Sequence, residues 1–570
     1  MIALQGTGVS PGIATGPLFI YRPEKISVPS RTVIDTDSEM KRLRDATNIA
    51  YCELDKLANE SRQTVGEDAA ILFETHQLML HDIDFRDRIT HLIVNERKNC
   101  EYAIDIAAKE CSQSFLQMDN EYMRARSADI LDVAGRLIGI LTKNTKSAFS
   151  FSEPVIIAAD DLTPSETVQL DKSLVLGFIL SHGKANSHTA ILAKTLGIPA
   201  IVNTNSEIRD EYSNKTVVMD GSAGYIVIDP NKATMKYMEK KRAEERTIRD
   251  MLFQLKGKSD STLDGKSIKV YANITSPDDT DAVIRNDARG IGLFRSEFLY
   301  LNSTDFPDEN TQFIAYKSVV EKMAGSQVII RTMDIGADKK ISYFNLENEE
   351  NPALGMRALR ICLTQKEIFR TQLRALYRAS AFGKLAIMLP MVSSLWEVQE
   401  TKRLCSVIEK ELTLEHMDFD KEIELGIMIE TPASVMIADE LAKEVDFFSI
   451  GTNDLTQYST ALDRQGVSGL ERFYDAHHPA VMKLIKMTVD AAHKNGIWAG
   501  ICGEIASDSS LTESFLRMGV DELSVSPNSV LEIRNAVRHT DLSIYKMVRY
   551  VKRHSLIVAK NIKIAEKSRI

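Results

Sequence analysis

Two sets of residues in this chain have the types and spacing to handle phosphate. The first lies in Leu180-Ser181-His182-Gly183-Lys184-Ala185-Asn186-Ser187-His188-Thr189-Ala190-Ile191-Leu192-Ala193-Lys194. An apolar, strand-like run over 174–180 ends in a small polar loop. From Thr189 a helical pattern begins, with Ile191, Leu192 and Thr195 on one face, and Gly197 and Pro199 close it. His188 therefore stands where a loop becomes a helix, beside free backbone N–H groups and the positive end of the helix dipole. Phosphate is held at such places, and an imidazole there is a candidate phosphate-carrying nucleophile. A structural loop histidine would read the same way in isolation. The second set recurs at the ends of apolar runs: Arg295, Arg331, Glu430, Asn453, Asp454 and Cys502. Two guanidinium forks can clamp a phosphate or carboxylate bidentately, and Glu430 and Asp454 are hard oxygen donors suited to Mg²⁺ beside substrate oxygens. One buried Arg–Glu pair is commonly structural, but five functional run ends in one architecture argue for a site.

The elements that must position these residues follow from periodicity. Residues 1–22 are punctuated by Gly and Pro and carry short apolar runs, which reads as β-strands belonging with a later segment. From about 35 to 143 Gly and Pro nearly vanish, and apolar residues recur at helical spacing, as in Ile71, Leu72, Thr75, Leu78 and Met79. Strands alternate with short helices again over 149–229. A charged stretch without Gly or Pro, starting near 231 and ended by Gly257, reads as a linker helix. Beyond it come strand-like runs at 268–274, 291–298, 327–335, 385–393, 424–432, 447–455, 497–505 and 522–529, most of them separated by helical patterns. That alternation is the signature of a (β/α)8 barrel, whose chemistry sits at the C-terminal ends of its strands. The expected architecture is multidomain α/β. An N-terminal α/β domain over 1–22 and 147–230 carries His188, with a helical subdomain inserted over 23–146. A linker helix follows over 231–260, then a barrel over 261–570.

Composition narrows the function. A chain of 570 residues has length for two to four domains. Its net charge of −10 argues against a non-specific nucleic-acid binder and permits a basic protein partner. The first residues lack the pattern of a signal peptide, and no apolar run reaches membrane-span length. Six scattered cysteines without a CxxC pair favour a reducing cytoplasm over disulfides or a zinc site.

The His188 segment resembles the phosphohistidine loop of Enzyme I of the bacterial sugar phosphotransferase system, phosphoenolpyruvate synthase and pyruvate phosphate dikinase. Gly183, Ser187, His188, Ile191 and Ala193 fit that pattern, while Lys184, Asn186 and Lys194 stand where it has Gly, Thr and Arg. The runs Arg-Thr-Met-Asp-Ile-Gly from Arg331, Glu-Asn-Pro-Ala-Leu-Gly-Met-Arg-Ala from Glu350, Glu-Thr-Pro-Ala from Glu430 and Gly-Thr-Asn-Asp-Leu-Thr-Gln-Tyr from Gly451 resemble the phosphoenolpyruvate-binding barrel of Enzyme I. So does the upstream run Asp161 to Thr167, and the resemblance spans about 7 to 535.

The resemblance implies that Arg295, Arg331, Arg357 and Arg464 bind phosphate and carboxylate, with Lys339 assisting and Asn453 touching substrate. It implies that Glu430 and Asp454 hold Mg²⁺, Cys502 protonates the enolate and Thr167 hydrogen-bonds the imidazole of His188. It further implies transfer of the phosphoryl group to His188 and then to the histidine carrier protein HPr, as the first step of sugar uptake, and homodimerisation through the barrel. HPr would dock on the helical subdomain near Glu67, Asp68, Glu74, Asp82 and Asp84 with Arg126, while His76 reads as an interface or helix-surface residue. The chemistry agrees: phosphoenolpyruvate is dense in negative charge, phosphoryl transfer needs positioning and charge neutralisation, and a thiol can supply the proton that turns enolpyruvate into pyruvate. A small buried hydrophobe is the commoner role of a free Cys. Two other readings are a non-catalytic regulator that binds phosphoenolpyruvate or HPr, and a synthase- or dikinase-like enzyme lacking its ATP domain. The first would be expected to have lost His188, Glu430, Asp454 or Cys502, and all four are present.

Overall fold

The computed structural model describes residues 1–22, 28–64, 67–117, 121–142, 151–162, 166–167, 170–182, 189–190, 193, 197–204, 208–301, 303, 305–336, 342–344, 349, 351–463, 473 and 475–543. It divides into two compact units, Met1–Thr247 and Ile248–Ile570.

The first unit is built on an eight-stranded sheet: β1 (Ile2–Gln5), β2 (Thr7–Ser10), β3 (Ile13–Ile20), β4 (Val155–Ala159), β5 (Val175–Leu180), β6 (Ala200–Val202), β7 (Thr216–Asp220) and β8 (Tyr225–Ile228). Its order is β1-β8-β7-β3-β4-β5-β6-β2. The N-terminal strands thus pair with strands more than a hundred residues downstream, as expected. Both faces are covered, so β4 reads as a continuous apolar run. Val155, Ile157 and Ala159 pack on one side with Phe178 and Leu180, and Ile156 and Ala158 on the other with Ile179 and Met219.

Between β3 and β4 the described residues form five helices: α1 (Thr36–Thr64), α2 (Glu67–Leu80), α3 (Ile83–Val94), α4 (Cys100–Leu116) and α5 (Glu121–Thr142). They share one core that includes Leu54, Phe73, Phe85, Ile104 and Leu137. The buried face of α2 differs from the one its apolar residues suggest. Phe73, His76, Gln77 and Leu80 point inward, at i, i+3, i+4 and i+7, whereas Leu78 is 74% exposed. His76 is therefore no surface residue: it is 1% exposed, with Nε2 at 3.6 Å from Asp129 and Nδ1 at 3.7 Å from Asp132. The charged linker stretch is helix α6 (Lys232–Phe253). Met238 is its buried residue, packed on Ile13 and Val218, and Lys241 pairs with Asp220 at the end of β7. The helix ends just before a turn in which Gly257 takes φ +76, a conformation that disfavours a side chain.

The second unit is the barrel. Its strands are β9 (Lys269–Ile274), β10 (Gly290–Arg295), β11 (Gln327–Arg331), β12 (Leu385–Leu389), β13 (Glu424–Ile429), β14 (Phe447–Ile450), β15 (Trp498–Ile501) and β16 (Glu522–Val525). All neighbours are parallel, and β16 closes on β9. Each strand lies within, or within one residue of, the run expected from sequence, and is shorter than that run. The large core lies between strands and outer helices, and a smaller cluster (Leu293, Ile329, Met388, Met428, Phe447 and Cys502 among it) fills the inside. Among the described residues no helix is long and apolar enough to cross a membrane.

Candidate active site

Because the strands stop early, the chemistry-bearing residues fall at their ends or just past them. Arg295 and Arg331 are the last residues of β10 and β11. Glu430 and Cys502 directly follow β13 and β15. Asn453 and Asp454 lie in the first turn of the helix Thr452–Thr460 that follows β14. Arg357 comes from the long connection between β11 and β12, held by an isolated bridge to Gly336. All seven line one cavity of about 610 Å³ at the C-terminal end of the barrel, together with Glu297, Asp334 and Tyr458. Lys339 and Arg464 lie outside the described residues.

Carboxylates hold the guanidinium groups in place. Arg331 donates to Glu297 Oε1 at 3.0 Å and pairs with Asp334 Oδ2 at 2.9 Å. Arg357 donates to Asp334 Oδ1 at 3.1 Å and to the Tyr458 hydroxyl at 3.0 Å, and stands 3.6 Å from Asp454. Asp334 thereby bridges the two forks. Burial alone would make both arginines easier to deprotonate, but the surrounding acids outweigh it and keep them charged. Each retains a buried Nε donor without a protein partner among the described residues, which leaves capacity for an anionic ligand. Asn453 exchanges hydrogen bonds with Glu504, donating to its carboxylate at 3.0 Å and accepting from its backbone N–H at 3.1 Å.

Glu430 is 1% exposed and accepts from the Met391 backbone N–H at 2.8 Å. Met391 holds φ 56, and Ala358 beside Arg357 holds φ 51, both strained for residues with a side chain. Burial, then the nearby charges of Asp454 and Asp334, push Glu430 up to about 8 against the opposing effect of Arg331. An acid so crowded takes up either a proton or a cation, so Glu430 and Asp454 fit a divalent ion. Among the described residues no three His, Cys, Asp or Glu side chains gather as a complete metal cage. Cys502 is 3% exposed, its Sγ 3.7 Å from the Ile450 carbonyl, and burial pushes its thiol up to about 12. It is a proton holder rather than a thiolate.

Glu297, Asp334, Tyr458 and the Met391 amide were not singled out from sequence. The two acids stand two and three residues after Arg295 and Arg331, and that spacing was the available signal.

In the first unit, His188 with Gly183, Lys184, Asn186 and Ser187 lies outside the described residues. The structure describes what flanks it. The chain leaves β5 alongside β4, with His182 N–H donating to the Asp160 carbonyl at 3.0 Å. Just beyond, Ala190 and Ala193 are fully buried on the Val155–Ala159 face. Thr167 is buried, 5% exposed. Of the helical residues, Asp82 caps α3 by accepting from Phe85 N–H at 2.9 Å, Asp84 is exposed and Glu74 half-buried. Arg126 donates to Asp129 at 3.0 Å. The side chains of Glu67 and Asp68 lie outside the described residues.

Comparison with known proteins accords with this arrangement. Residues 5–126 match the family "PEP-utilising enzyme, N-terminal", 151–224 "PEP-utilising enzyme, mobile domain" and 250–542 "PEP-utilising enzyme, PEP-binding domain". Proteins named phosphoenolpyruvate-protein phosphotransferase are similar over nearly their whole length. That of Priestia megaterium is 40% identical over 94% of this chain and 93% of its own. Those of Staphylococcus carnosus and Bacillus subtilis are 40% and 39% identical, over 95% and 94% of this chain and 95% and 94% of their own. A strand-end cavity of clamped arginines and crowded acids, in a chain matching all three parts of these enzymes, places it in the phosphoenolpyruvate-protein phosphotransferase family.

Proposed function

We propose that the chain transfers the phosphoryl group of phosphoenolpyruvate to its own His188 and then to the carrier protein HPr, releasing pyruvate, as the first step of sugar uptake. The observation that carries this reading is the joint lining of one cavity by Arg295, Arg331, Arg357, Glu430, Asn453, Asp454 and Cys502. The arginines bind the phosphate and carboxylate, with Lys339 and Arg464 completing the anion site. Asp334 pre-orders two of the forks, so little entropy is lost when the substrate arrives. Asn453 orients the substrate. Glu430 and Asp454 would hold Mg²⁺, which when bound would supply charge neutralisation for the leaving enolate. His188 attacks the phosphorus in line, with Thr167 holding its imidazole. The thiol of Cys502 then gives its proton to the methylene carbon of the enolate, which pulls the equilibrium towards pyruvate.

The helical insert supplies the partner surface. Leu78 and Ile83 are each 74% exposed at the corner between α2 and α3, beside exposed Asp82 and Asp84. An apolar pair rimmed by acids suits a small basic partner, and Glu67, Asp68, Glu74 and Arg126 are the further residues assigned to that partner from sequence. In this reading α6 is the linker between the phosphohistidine domain and the barrel, and the barrel also serves dimerisation of a cytoplasmic enzyme. The test is pyruvate release with HPr as acceptor. Glu430→Gln and Asp454→Asn are expected to abolish turnover at ordinary Mg²⁺ while the fold persists. Retention of full turnover in both would sink this assignment.

A further inference from the structure

The Tyr458 hydroxyl lies among the charged groups of the cavity but takes no part in the chemistry proposed for it. Tyr458 comes four residues after Asp454 on the helix Thr452–Thr460, so the two side chains share one helix face, and both line the cavity. Its hydroxyl donates to the Ala353 carbonyl at 2.5 Å and accepts from Arg357 Nη1 at 3.0 Å. The single proton of the phenol is thus committed to the connection between β11 and β12, and a lone pair is left for the guanidinium. The next two carbonyls of that connection, of Leu354 and Gly355, are taken by Arg360 at 2.7 and 2.8 Å. The backbone that aims the hydroxyl is therefore itself held.

The same Arg357 nitrogen stands 3.6 Å from Asp454 Oδ1. That is close enough for charges to attract but too far for a hydrogen bond. A carboxylate is ordinarily the stronger acceptor for a guanidinium, by roughly a factor of two over a neutral group, yet Nη1 bonds the phenol. The other tip of the fork explains this. Arg357 Nη2 donates to Asp334 Oδ1 at 3.1 Å, so the guanidinium is gripped at both ends, by Asp334 and by Tyr458, and stops short of Asp454.

We infer that the Tyr458 hydroxyl is a positioning group that keeps Arg357 off Asp454, leaving the guanidinium for the anionic substrate and the carboxylate for the divalent cation. This rests on the reading of Glu430 and Asp454 as the residues that hold the cation. Without the hydroxyl, Asp454 is the acceptor within reach of Nη1. A shift of about 0.7–0.9 Å would make a charge-assisted hydrogen bond between them. The guanidinium would then compete with the cation for the carboxylate and turn away from the substrate. One displaced group would weaken both ligands.

The test uses the full-length protein. Binding of Mn²⁺ alone is followed by electron paramagnetic resonance of the free ion, since Mn²⁺ accepts the same octahedral oxygen sites as Mg²⁺. Pyruvate release is titrated separately with Mg²⁺ and with phosphoenolpyruvate. Tyr458→Phe keeps the ring and removes only the hydroxyl. Its dissociation constant for Mn²⁺ is expected to rise about tenfold, the worth of one charge-assisted hydrogen bond. The Mg²⁺ needed for half-maximal rate and the KM for phosphoenolpyruvate should rise with it, with most of the lost rate recovered at saturating Mg²⁺.

The decisive comparison is in the Arg357→Ala background. Adding Tyr458→Phe there should leave Mn²⁺ affinity where Arg357→Ala alone puts it, because no guanidinium remains to reach Asp454. An unchanged Mn²⁺ affinity in Tyr458→Phe would overturn the inference. So would an equal fall with and without Arg357, from a disturbed fold or any other structural cause. Asp454→Asn separates the parent reading: Mn²⁺ binding that survives it unchanged would remove Asp454 as a holder of the cation, and the inference with it.

Discussion

Arg357 carries more of the anion site than its place in a connecting loop suggests. Its two terminal nitrogens reach Asp334 and the Tyr458 hydroxyl at once, a geometry that a lysine cannot reproduce. Arg357→Lys is expected to raise KM for phosphoenolpyruvate by about 10- to 100-fold, the loss of one or two charge-assisted hydrogen bonds, with kcat falling less; an unchanged KM would show that the bridge does not shape the site. Cys502→Ala should leave substrate binding intact by calorimetry and lower kcat by about 10²- to 10⁴-fold, the usual share of a general acid. At this scale the sequence was readable where a residue type has one strong use. The Arg forks, the paired acids and the strand-end thiol read from sequence all line the one cavity. Glu297 and Asp334 were not assigned, because their value lies in what they touch across the barrel mouth, and contacts between neighbouring strand ends are set by closure of the barrel.

The elements were legible where their periodicity is unambiguous. Eight apolar runs became eight parallel strands because each is short and β-rich and most are separated by helical patterns, and strands buried on both faces need such runs. The buried side of α2 was not legible, because apolar residues occupy both of its faces. Packing against α5 selected the face with His76, which Asp129 and Asp132 partner. The tie between α6 and the sheet makes an acid-sensitive joint. Burial would raise the Asp220 carboxyl, but Lys241 and the N–H groups of Ala223 and Ser222 overcome it and hold the group below the usual carboxylate range. A carboxyl so lowered contributes stability that is present above the ordinary Asp pKa and is lost as pH falls through its depressed one. Asp220→Asn should therefore lower the melting temperature of the first unit near neutral pH and flatten its acid limb, read by circular dichroism from pH 7 down to 2. A parallel downward shift at every pH would contradict this.

At the scale of the whole molecule, stability is divided between two units with separate cores. In the second, Arg534 is fully buried and joins the helix Val530–His539 to Asp260, to Asp287 and to the Leu255 carbonyl. Arg534→Met takes from buried Asp260 its ion-pair partner and from Asp287 one of its partners, and should cost about 3–5 kcal/mol. In calorimetry the barrel transition should move down while that of the first unit stays; a joint shift of both would show one cooperative block. The central claim is that His188 in one unit receives phosphate from a substrate held in the other. The direct measurement is incubation with phosphoenolpyruvate and Mg²⁺, followed by mass spectrometry at neutral to basic pH, with His188→Ala as control. The account predicts one acid-labile phosphoryl group on His188, absent from the variant and discharged on adding HPr. Binding of phosphoenolpyruvate with His188 unlabelled would contradict it and favour a regulatory protein that binds the substrate without turning it over.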